Sequence, residues 1–248
     1  MAGVAAVGAG EDYQVEFIGP DGQRCEVPLS SCATVRFEDA SPVRGFPSYR
    51  GQRSFPGLWW SATTGSHVGY ESWLERDWLI AFDSSPEVTG IGSQPFRLSW
   101  RAKKTKRHTP DYFLRLRDGG AVVVDVRADT RIDAEDQAVF DTTAAVCELL
   151  GWQYRRFGEM DRVRAANLRW LSGYRHPRCR RVGLAPKLVE SFAVPRPLLL
   201  GAEDVGDPIE VLPTLFQASD LEDALASVDA AIRKIDSTSR WSPPTVAE

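Results

Sequence analysis

Two aspartates stand at the two ends of a hairpin pattern in the stretch "HTPDYFLRLRDGGAVVVDVR", residues 108 to 127. "DYFLRL" alternates like a half-buried strand, "RDGG" is typical of a tight turn, and "AVVVDV" is typical of a central strand. We expect this hairpin to bring Asp111 and Asp125 to the same end of a sheet. Two carboxylates held a few ångströms apart repel each other, so the pattern predicts a Mg²⁺ or Mn²⁺ ion between them. A structural alternative, in which both aspartates cap turns and pair with arginines, stays open.

A second source of carboxylates is the stretch "GYESWLERDWLIAFD", whose apolar residues recur at helical spacing. On this helix Glu71 and Glu75 project beside Trp78 and Phe82, inside or at the edge of the apolar arc. A carboxylate facing a core is costly unless it is paired, hydrogen-bonded or bound to a metal. Either glutamate could complete the metal site. The structural alternative places Glu71 in the first helical turn, against the helix N-terminus, and pairs Glu75 with an arginine.

Basic residues are concentrated in two parts of a chain whose net charge is -4. One cluster spans residues 97 to 117 and the other residues 155 to 181, and both contain aromatic residues. Such clusters contact phosphates, although a solvated basic face would look the same. The first cluster would bring a phosphate to the predicted metal, which can polarise it and lower the pKa of a bound water. The chemistry predicted is phosphodiester hydrolysis.

The organisation of the chain follows from its pattern of elements. Residues 1–66 predict a small β element, "YQVEFIG" and "RCEVPL" around a turn, and then a long ordered loop over 41–69. Residues 67–158 predict helix, strands, helix and strand, with "VTGIGSQPFRLSW" as one of the strands. Residues 159–236 turn helical, and a stripe of apolar residues over 221–235 predicts a packed helix. Residues 237–248 lack periodicity and predict a flexible tail.

Composition limits the class of protein. With 248 residues, of which 43% are hydrophobic, the chain can bury a sizeable core. Its four cysteines show neither a CxxC pair nor histidines at zinc-finger spacing, which favours a reducing compartment. The opening residues lack the features of a secretory signal, and no apolar run is long enough for a membrane span. We therefore expect a cytoplasmic protein.

Several short motifs then resemble a known family. Pro110 and Asp111, followed by Asp125, Val126 and Arg127 on an apolar strand, resemble the PD-(D/E)xK signature of restriction-endonuclease-like nucleases. "ESWLERD", "SQPF" and "HTPDYF" accompany it in the right order. Together they look like TnsA, the endonuclease subunit of heteromeric transposases. The resemblance covers residues 67–158 and extends into the later segments "ANLRWLSGYRHPR" and "VGDPIEVLPTLF".

The resemblance implies a fold, a site and partners. The fold would be α/β, with a restriction-endonuclease-like mixed sheet flanked by helices, the small N-terminal β element, and a helical C-terminal region containing a winged-helix-like unit. Glu75 corresponds to the helix acid of the family, with Glu71 as a second candidate, and Asp111 and Asp125 complete the ligands for Mg²⁺ or Mn²⁺. Gln94, in the "QPF" strand, would help position the substrate.

The same resemblance implies a biological role. In the family the enzyme cuts the 5′ ends of a transposon while a DDE-type transposase cuts and joins the 3′ ends. The implied partners are therefore double-stranded DNA, that transposase and an ATP-dependent transposition regulator, in a bacterial cytoplasm at the nucleoid. The residues expected to bind DNA lie in three places: the strand before the motif, the basic link that leads to the motif, and the hairpin of the motif. They are Gln94, Lys103, Lys104, Lys106, Arg107, His108 and Arg115.

Arg127 departs from the family pattern because it stands where the signature has lysine. An arginine stays protonated and cannot accept a proton, but it can orient water and stabilise charge on a phosphate. Reduced activity, or a site ordered by a partner, is the resulting hypothesis. Two alternatives stay open: a non-catalytic DNA-binding adaptor on a degenerate nuclease fold, and a restriction or repair nuclease of the same superfamily.

Overall fold

The computed structural model describes residues 13–46, 52, 55–102 and 104–218. Contacts between Cα atoms divide the chain into two compact units, the first ending at Ala165 and the second beginning at Ala166. The architecture is mixed α/β, with antiparallel and mixed sheets flanked by helices. No helix in the described ranges has the length and apolar character needed to cross a membrane.

The first unit contains an antiparallel sheet built partly from the N-terminal segment. Its strand order is β2-β1-β6-β7, with β1 at Tyr13–Ile18, β2 at Arg24–Pro28, β6 at Arg97–Arg101 and β7 at Thr105–His108. The predicted strands around the "PDGQ" turn are confirmed, and Gly22 takes the left-handed conformation that the turn needs, with φ at 79°.

A second, mixed sheet of the same unit carries the two motif aspartates. Its order is β10-β9-β8-β5, with β5 at Val88–Ser93, β8 at Tyr112–Leu116, β9 at Ala121–Val126 and β10 at Gln153–Phe157. β8 and β9 form the predicted hairpin, and β9 pairs with β10 in parallel. Every residue of β9 is buried, as expected for a strand with neighbours on both sides.

Two helices of the first unit accompany this sheet. The helix α1 spans Trp73–Ser84, and α2 spans Ala134–Leu149 between the parallel strands β9 and β10. A capping box formed by Asp133 and Asp136 begins α2. Gly151, with φ at 71°, lies just after its end, as its position in the sequence predicts.

Two sequence predictions for this unit are wrong. The segment 41–69, predicted to be a loop, contains an antiparallel hairpin of β3 (Gly57–Ser61) and β4 (Ser66–Tyr70). The buried carboxylate of Asp83 holds its turn, accepting hydrogen bonds from Ser61 Oγ at 2.7 Å and Thr63 N at 2.9 Å. The segment "VTGIGSQPFRLSW", predicted to be a single strand, forms two strands in different sheets. The strand is interrupted at Gln94, whose φ is 46°.

The N-terminal segment shares its core with the motif strands. The ring of Phe37 lies 4.9 Å from that of Phe96, 5.6 Å from that of Phe113 and 5.7 Å from that of Trp152, centroid to centroid. This cluster of four aromatic side chains packs residues from 1–66 directly against residues from 67–158. Both predicted segments therefore belong to one compact unit.

The second unit is helical over its described residues, 166 to 218. It contains the end of α3 (Arg162–Ser172), α4 (Ala185–Ser191), α5 (Leu198–Val205) and α6 (Pro208–Ala218). Its core is formed by Leu188, Ala202, Val211 and Leu215. The described part of this unit contains no strand that would form a wing. The predicted helix over 221–235 and the predicted tail over 237–248 lie outside the described residues.

Candidate functional site: a pocket of carboxylates

The hairpin holds Asp111 and Asp125 next to each other at one end of the mixed sheet. Tyr112 of β8 is opposite Val124 of β9, so Asp111 lies beside Asp125. The N–H of Asp111 donates to the Val124 carbonyl at 3.0 Å. In return, Asp111 Oδ2 accepts a hydrogen bond from the Val126 N–H at 2.7 Å. The head of β8 and the end of β9 are thereby locked together.

The N-terminus of α1 brings the two glutamates to the same place. Glu71 precedes the helix and is not in its first turn, because the N-cap residue is Ser72. Ser72 Oγ accepts from the Glu75 N–H at 3.2 Å, and Glu75 Oε2 accepts from the Glu71 N–H at 2.7 Å. These bonds form a variant of the capping box, in which the glutamate returns to the N–H of the residue before the N-cap instead of to that of the N-cap itself. Glu71 is held by Arg44, which donates two hydrogen bonds at 2.7 and 2.8 Å.

Carboxylates and cationic side chains share a pocket of about 260 Å³. Its charged or titratable residues are Arg44, Glu71, Glu75, His108, Asp111, Asp125, Arg127 and Asp136. Burial, then Glu75 and Asp125, raise the pKa of Asp111 well above its usual range. Burial is also the main cause of the raised pKa of Glu75, and the nearby Glu71 adds to it. Glu75 and Asp125 therefore help to raise the pKa of Asp111 even though cationic side chains line the same pocket.

Asp125 is held by two neighbours on different strands. His108 Nε2, on β7, lies 3.0 Å from Asp125 Oδ1 and 2.9 Å from Asp125 Oδ2. The hydroxyl of Tyr154, on β10, donates to Asp125 Oδ2 at 2.7 Å. The Asp125 side chain is 5% exposed and that of His108 16%. His108, expected to contact phosphate, contacts this carboxylate in the structure.

Arg127 lies on the pocket wall with its guanidinium turned towards the start of α2. Its Nη2 donates to Asp136 Oδ2 at 3.0 Å, and its side chain is 49% exposed. Its backbone N–H donates to the Phe157 carbonyl at 2.9 Å, which extends the parallel pairing of β9 and β10. The sequence motif therefore does bring a cationic side chain to the carboxylates, with half of its surface open to solvent.

The basic link forms the edge strand β7 and the turn before it. Lys104 and Arg107 are exposed, whereas Lys106 forms a salt bridge with Glu135 of α2. Lys103 lies outside the described residues. Arg107 directly precedes His108, so this exposed charge adjoins a residue that contacts Asp125.

Two other residues expected to bind DNA are engaged inside the protein. Arg115 donates to both carboxylate oxygens of Glu38 at 3.1 Å, away from the carboxylate pocket. Gln94 is 2% exposed, and a side chain so buried cannot touch DNA directly. Its backbone N–H instead donates to the Asp111 carbonyl at 2.9 Å. In the structure Arg115 pairs with Glu38 and Gln94 anchors the backbone of Asp111, and DNA binding by these two residues stays a prediction.

Sequence reasoning missed several residues that shape the pocket. Arg44, Ser72, Asp136 and Tyr154 are not among the predicted site residues. The "SWLE" spacing of a Ser three residues before a Glu could have identified the capping box. No local pattern announces Arg44 or Tyr154, because their carboxylate partners lie 27 and 29 residues away.

The donor set suits a hard divalent cation, with one qualification from the geometry. Carboxylate oxygens are the ligands that Mg²⁺ and Mn²⁺ prefer, and a cation would offset the charge repulsion that, after burial, raises the pKa of Asp111. In the described ranges, however, no three His, Cys, Asp or Glu side chains are arranged to hold a metal. Asp125 faces His108 and Tyr154, and Glu75 faces the helix N-terminus. Asp125 Oδ2 faces both His108 Nε2 and the Tyr154 hydroxyl, so its two lone pairs are engaged. Asp111 Oδ2 accepts from the Val126 N–H, and a carboxylate oxygen with one such bond keeps a lone pair for a ligand.

Comparison with known proteins identifies no family. No protein-family model matches the chain, and no curated protein matches it significantly.

Proposed function

We propose that this chain is a DNA endonuclease that hydrolyses phosphodiester bonds with Mg²⁺ or Mn²⁺ bound among Glu75, Asp111 and Asp125. The observation that carries the proposal is the convergence of these three acids from two elements on one pocket, where Glu75 and Asp125 both raise the pKa of Asp111. A pocket selected only for stability would have no need of such repulsion.

Each residue of the pocket would contribute a distinct interaction. Asp111, fixed by the Val126 N–H, and Asp125, fixed by His108 and Tyr154, would present oxygens with little freedom to turn away. Arg127 would bind the phosphate and stabilise the charge that develops on it. When bound, the metal ion would polarise the phosphate and lower the pKa of a coordinated water.

The narrower proposal is a TnsA-like role on a restriction-endonuclease-like fold. The mixed sheet, with a βαβ unit and acids at the end of its central hairpin, supports it, as does the order of the "ESWLERD", "SQPF" and "HTPDYF" motifs. On this proposal the substrate is the 5′ end of a transposon in double-stranded DNA. The partners would be a DDE-type transposase and an ATP-dependent regulator at the bacterial nucleoid.

A nicking assay tests the enzyme proposal. Purified protein is incubated with supercoiled plasmid and with labelled element ends in Mg²⁺ or Mn²⁺, with and without the partner transposase. We expect nicking by the wild type and a loss in Asp111→Asn greater than the roughly 10–100-fold that removal of an outer-shell group costs. Asp118→Asn is the matched control, because Asp118 lies in the exposed turn and asparagine can still accept from the Gly120 N–H. The proposal fails if no condition yields nicking, or if Asp111→Asn nicks like the wild type.

A non-catalytic DNA-binding adaptor is the second candidate, and particular contacts favour it. Glu75 has a structural use in the capping box, Arg127 replaces the motif lysine and pairs with Asp136, and the carboxylates are not arranged as a metal cluster among the described residues. A Mn²⁺ titration separates the two candidates. An adaptor would bind DNA without Mn²⁺. Its Mn²⁺ binding would be the same in the wild type and in Asp111→Asn.

A further inference from the structure

A second cavity adjoins the carboxylate pocket and has a different character. It has a volume of about 820 Å³ and shares Glu75, Val126 and Arg127 with the carboxylate pocket. Its other walls include the aromatic residues Phe55 and Trp73. We call it the aromatic groove. A phosphate held among the carboxylates would therefore have its neighbouring nucleotide at the entrance of this groove.

The two aromatic side chains are exposed, and their rings are tilted against each other. Their ring centroids are 5.7 Å apart with an interplanar angle of 31°, and Phe55 is 56% and Trp73 46% exposed. The Arg76 guanidinium lies 4.0 Å from the Trp73 ring centroid, a cation–π contact that holds the indole in place. Trp73 is the first residue of α1, and the side chains that pack this helix into the core are others, such as Leu79 and Phe82. The exposed rings thus form a flat apolar surface that the core does not require.

The charged residues that line the groove are two arginines, Arg127 and Arg131, and two glutamates, Glu75 and Glu159. Arg127 joins the groove to the carboxylate pocket, and the exposed Arg131 lies on the same wall. Arginine side chains bind phosphate, and aromatic rings beside them stack on nucleobases. Inside an intact duplex every base has neighbours on both faces, and only the terminal pairs expose one face. Away from the ends, only a base outside the duplex stack can present a free face to Trp73 and Phe55.

We propose that the aromatic groove binds an unpaired nucleotide, which on the proposed function would be the one next to the phosphate that is cut. The preferred ligand is then DNA whose base pairing is interrupted at this point, as at a distorted or partly opened duplex end. Phe55 and Trp73 stack on the released base, and Arg127 and Arg131 contact the adjoining phosphates.

Binding without divalent metal tests this assignment independently of cleavage. Fluorescence anisotropy in EDTA compares three labelled probes: a fully paired duplex, the same duplex with one unpaired 2-aminopurine, and single-stranded oligothymidine. We expect the wild type to bind the interrupted duplex about tenfold more tightly than the paired one, the effect of one stacked base. The 2-aminopurine fluorescence should be quenched on binding.

Variants assign the effect to the groove. Trp73→Leu and Phe55→Leu keep apolar volume but remove a stacking face, so each should reduce the tenfold preference and the quenching while changing affinity for the paired duplex less than twofold. Trp170→Leu, which removes a 52% exposed tryptophan from the second unit, is the matched control and should retain both. Trp73→Phe should retain most of the preference. Circular dichroism and thermal melting verify folding of each variant.

Two results would overturn the assignment: equal affinity of the wild type for paired and interrupted duplexes, or unchanged preference and quenching in Trp73→Leu and Phe55→Leu. The nicking assay in Mn²⁺ keeps this outcome separate from the proposed activity. Preference for the interrupted duplex without nicking refutes the enzyme and retains the groove, whereas nicking without that preference refutes the groove alone.

Discussion

Asp111 Oδ2 accepts a 2.7 Å hydrogen bond from the backbone N–H of Val126, the residue that follows Asp125. This bond spans the hairpin and prevents the Asp111 carboxylate from turning away from its acidic neighbours. Burial, Glu75 and Asp125 raise its pKa more than this hydrogen bond lowers it. The fold therefore holds a carboxylate where its ionised form is unfavourable, which has consequences for stability.

Replacing Asp111 by asparagine should stabilise the metal-free protein at neutral pH. In the folded protein Asp111 has a raised pKa, whereas in the unfolded chain its pKa is about 3.9. The folded state thus binds more protons above that value, and stability falls as pH rises through the folded pKa. Asp111→Asn removes this loss. We expect its gain to be absent below about pH 3.9 and on the order of 1 kcal/mol or more at pH 8.

Urea unfolding at several pH values, in EDTA, measures this difference. Asp118→Asn, in the exposed turn, should change the unfolding free energy by less than about 0.5 kcal/mol at every pH. Mn²⁺ should stabilise the wild type and not Asp111→Asn, since a ligand that binds only the folded state adds stability in proportion to its occupancy. A destabilised Asp111→Asn at pH 8 would mean that the carboxylate is well accommodated without metal.

The two members of the capping box should separate helix stability from metal binding. Ser72→Ala removes the acceptor of the Glu75 N–H and should cost about 1 kcal/mol of unfolding free energy. Glu75→Gln can still accept from the Glu71 N–H and removes a charge that raises the pKa of Asp111, so it should be no less stable than the wild type at neutral pH. It removes a charge from the pocket, and its Mn²⁺ affinity should fall about tenfold or more.

Thermal melting and Mn²⁺ titration followed by electron paramagnetic resonance give the two readouts. Ser72→Ala should retain Mn²⁺ affinity within a few-fold, because the pocket keeps all its charges. If Glu75→Gln destabilises the protein and binds Mn²⁺ like the wild type, then Glu75 is a helix cap and not a ligand.

Tyr154→Phe should destabilise the first unit by removing one of the two groups that hold Asp125. Burial, and then Asp125, raise the pKa of Tyr154, so its hydroxyl remains a donor throughout the physiological range. A hydrogen bond to a charged, buried carboxylate contributes about 1.5–3 kcal/mol, and urea unfolding at pH 7 measures it. Tyr70→Phe, which removes a hydroxyl outside the carboxylate pocket, is the control. Equal stability of the two variants would show that His108 alone positions Asp125.

Local pattern was sufficient for the elements whose side chains repeat regularly. The strands β8 and β9 and the helices α1 and α2 follow from alternation, helical spacing and turn residues. The hairpin β3–β4 was missed because its strands are five residues each in a segment rich in Pro, Gly, Ser and Thr. The break at Gln94 was missed because apolar alternation continues across it, while the change of sheet depends on one backbone angle.

The residues of the pocket also differ in whether the sequence could predict them. Asp111 and Asp125 could be paired from the sequence because a tight hairpin joins them. Arg44 and Tyr154 could not be assigned, since each reaches its carboxylate through tertiary packing that leaves no periodic trace. The salt bridge between Arg115 and the buried side chain of Glu38 could not be predicted either, because the two residues are far apart in the sequence.

Arg127→Lys should retain or raise the nicking rate. The guanidinium is half exposed and makes a single 3.0 Å contact with Asp136, which a lysine ammonium can also make. An exposed pair of this kind contributes at most about 1 kcal/mol, so folding should be little affected. Lysine, unlike arginine, can shift its pKa and help to position or activate the attacking water.

Single-turnover nicking in Mg²⁺ and Mn²⁺ compares the wild type, Arg127→Lys and Arg127→Ala, with Arg131→Lys as the matched control. Arg127→Ala should be slowest, because it removes the charge that we propose binds the phosphate. A complete loss of nicking in Arg127→Lys, with unchanged stability and DNA affinity, would show that the planar guanidinium itself is required, and the replacement of the motif lysine would then be a specialisation of this pocket and not a partial loss of function.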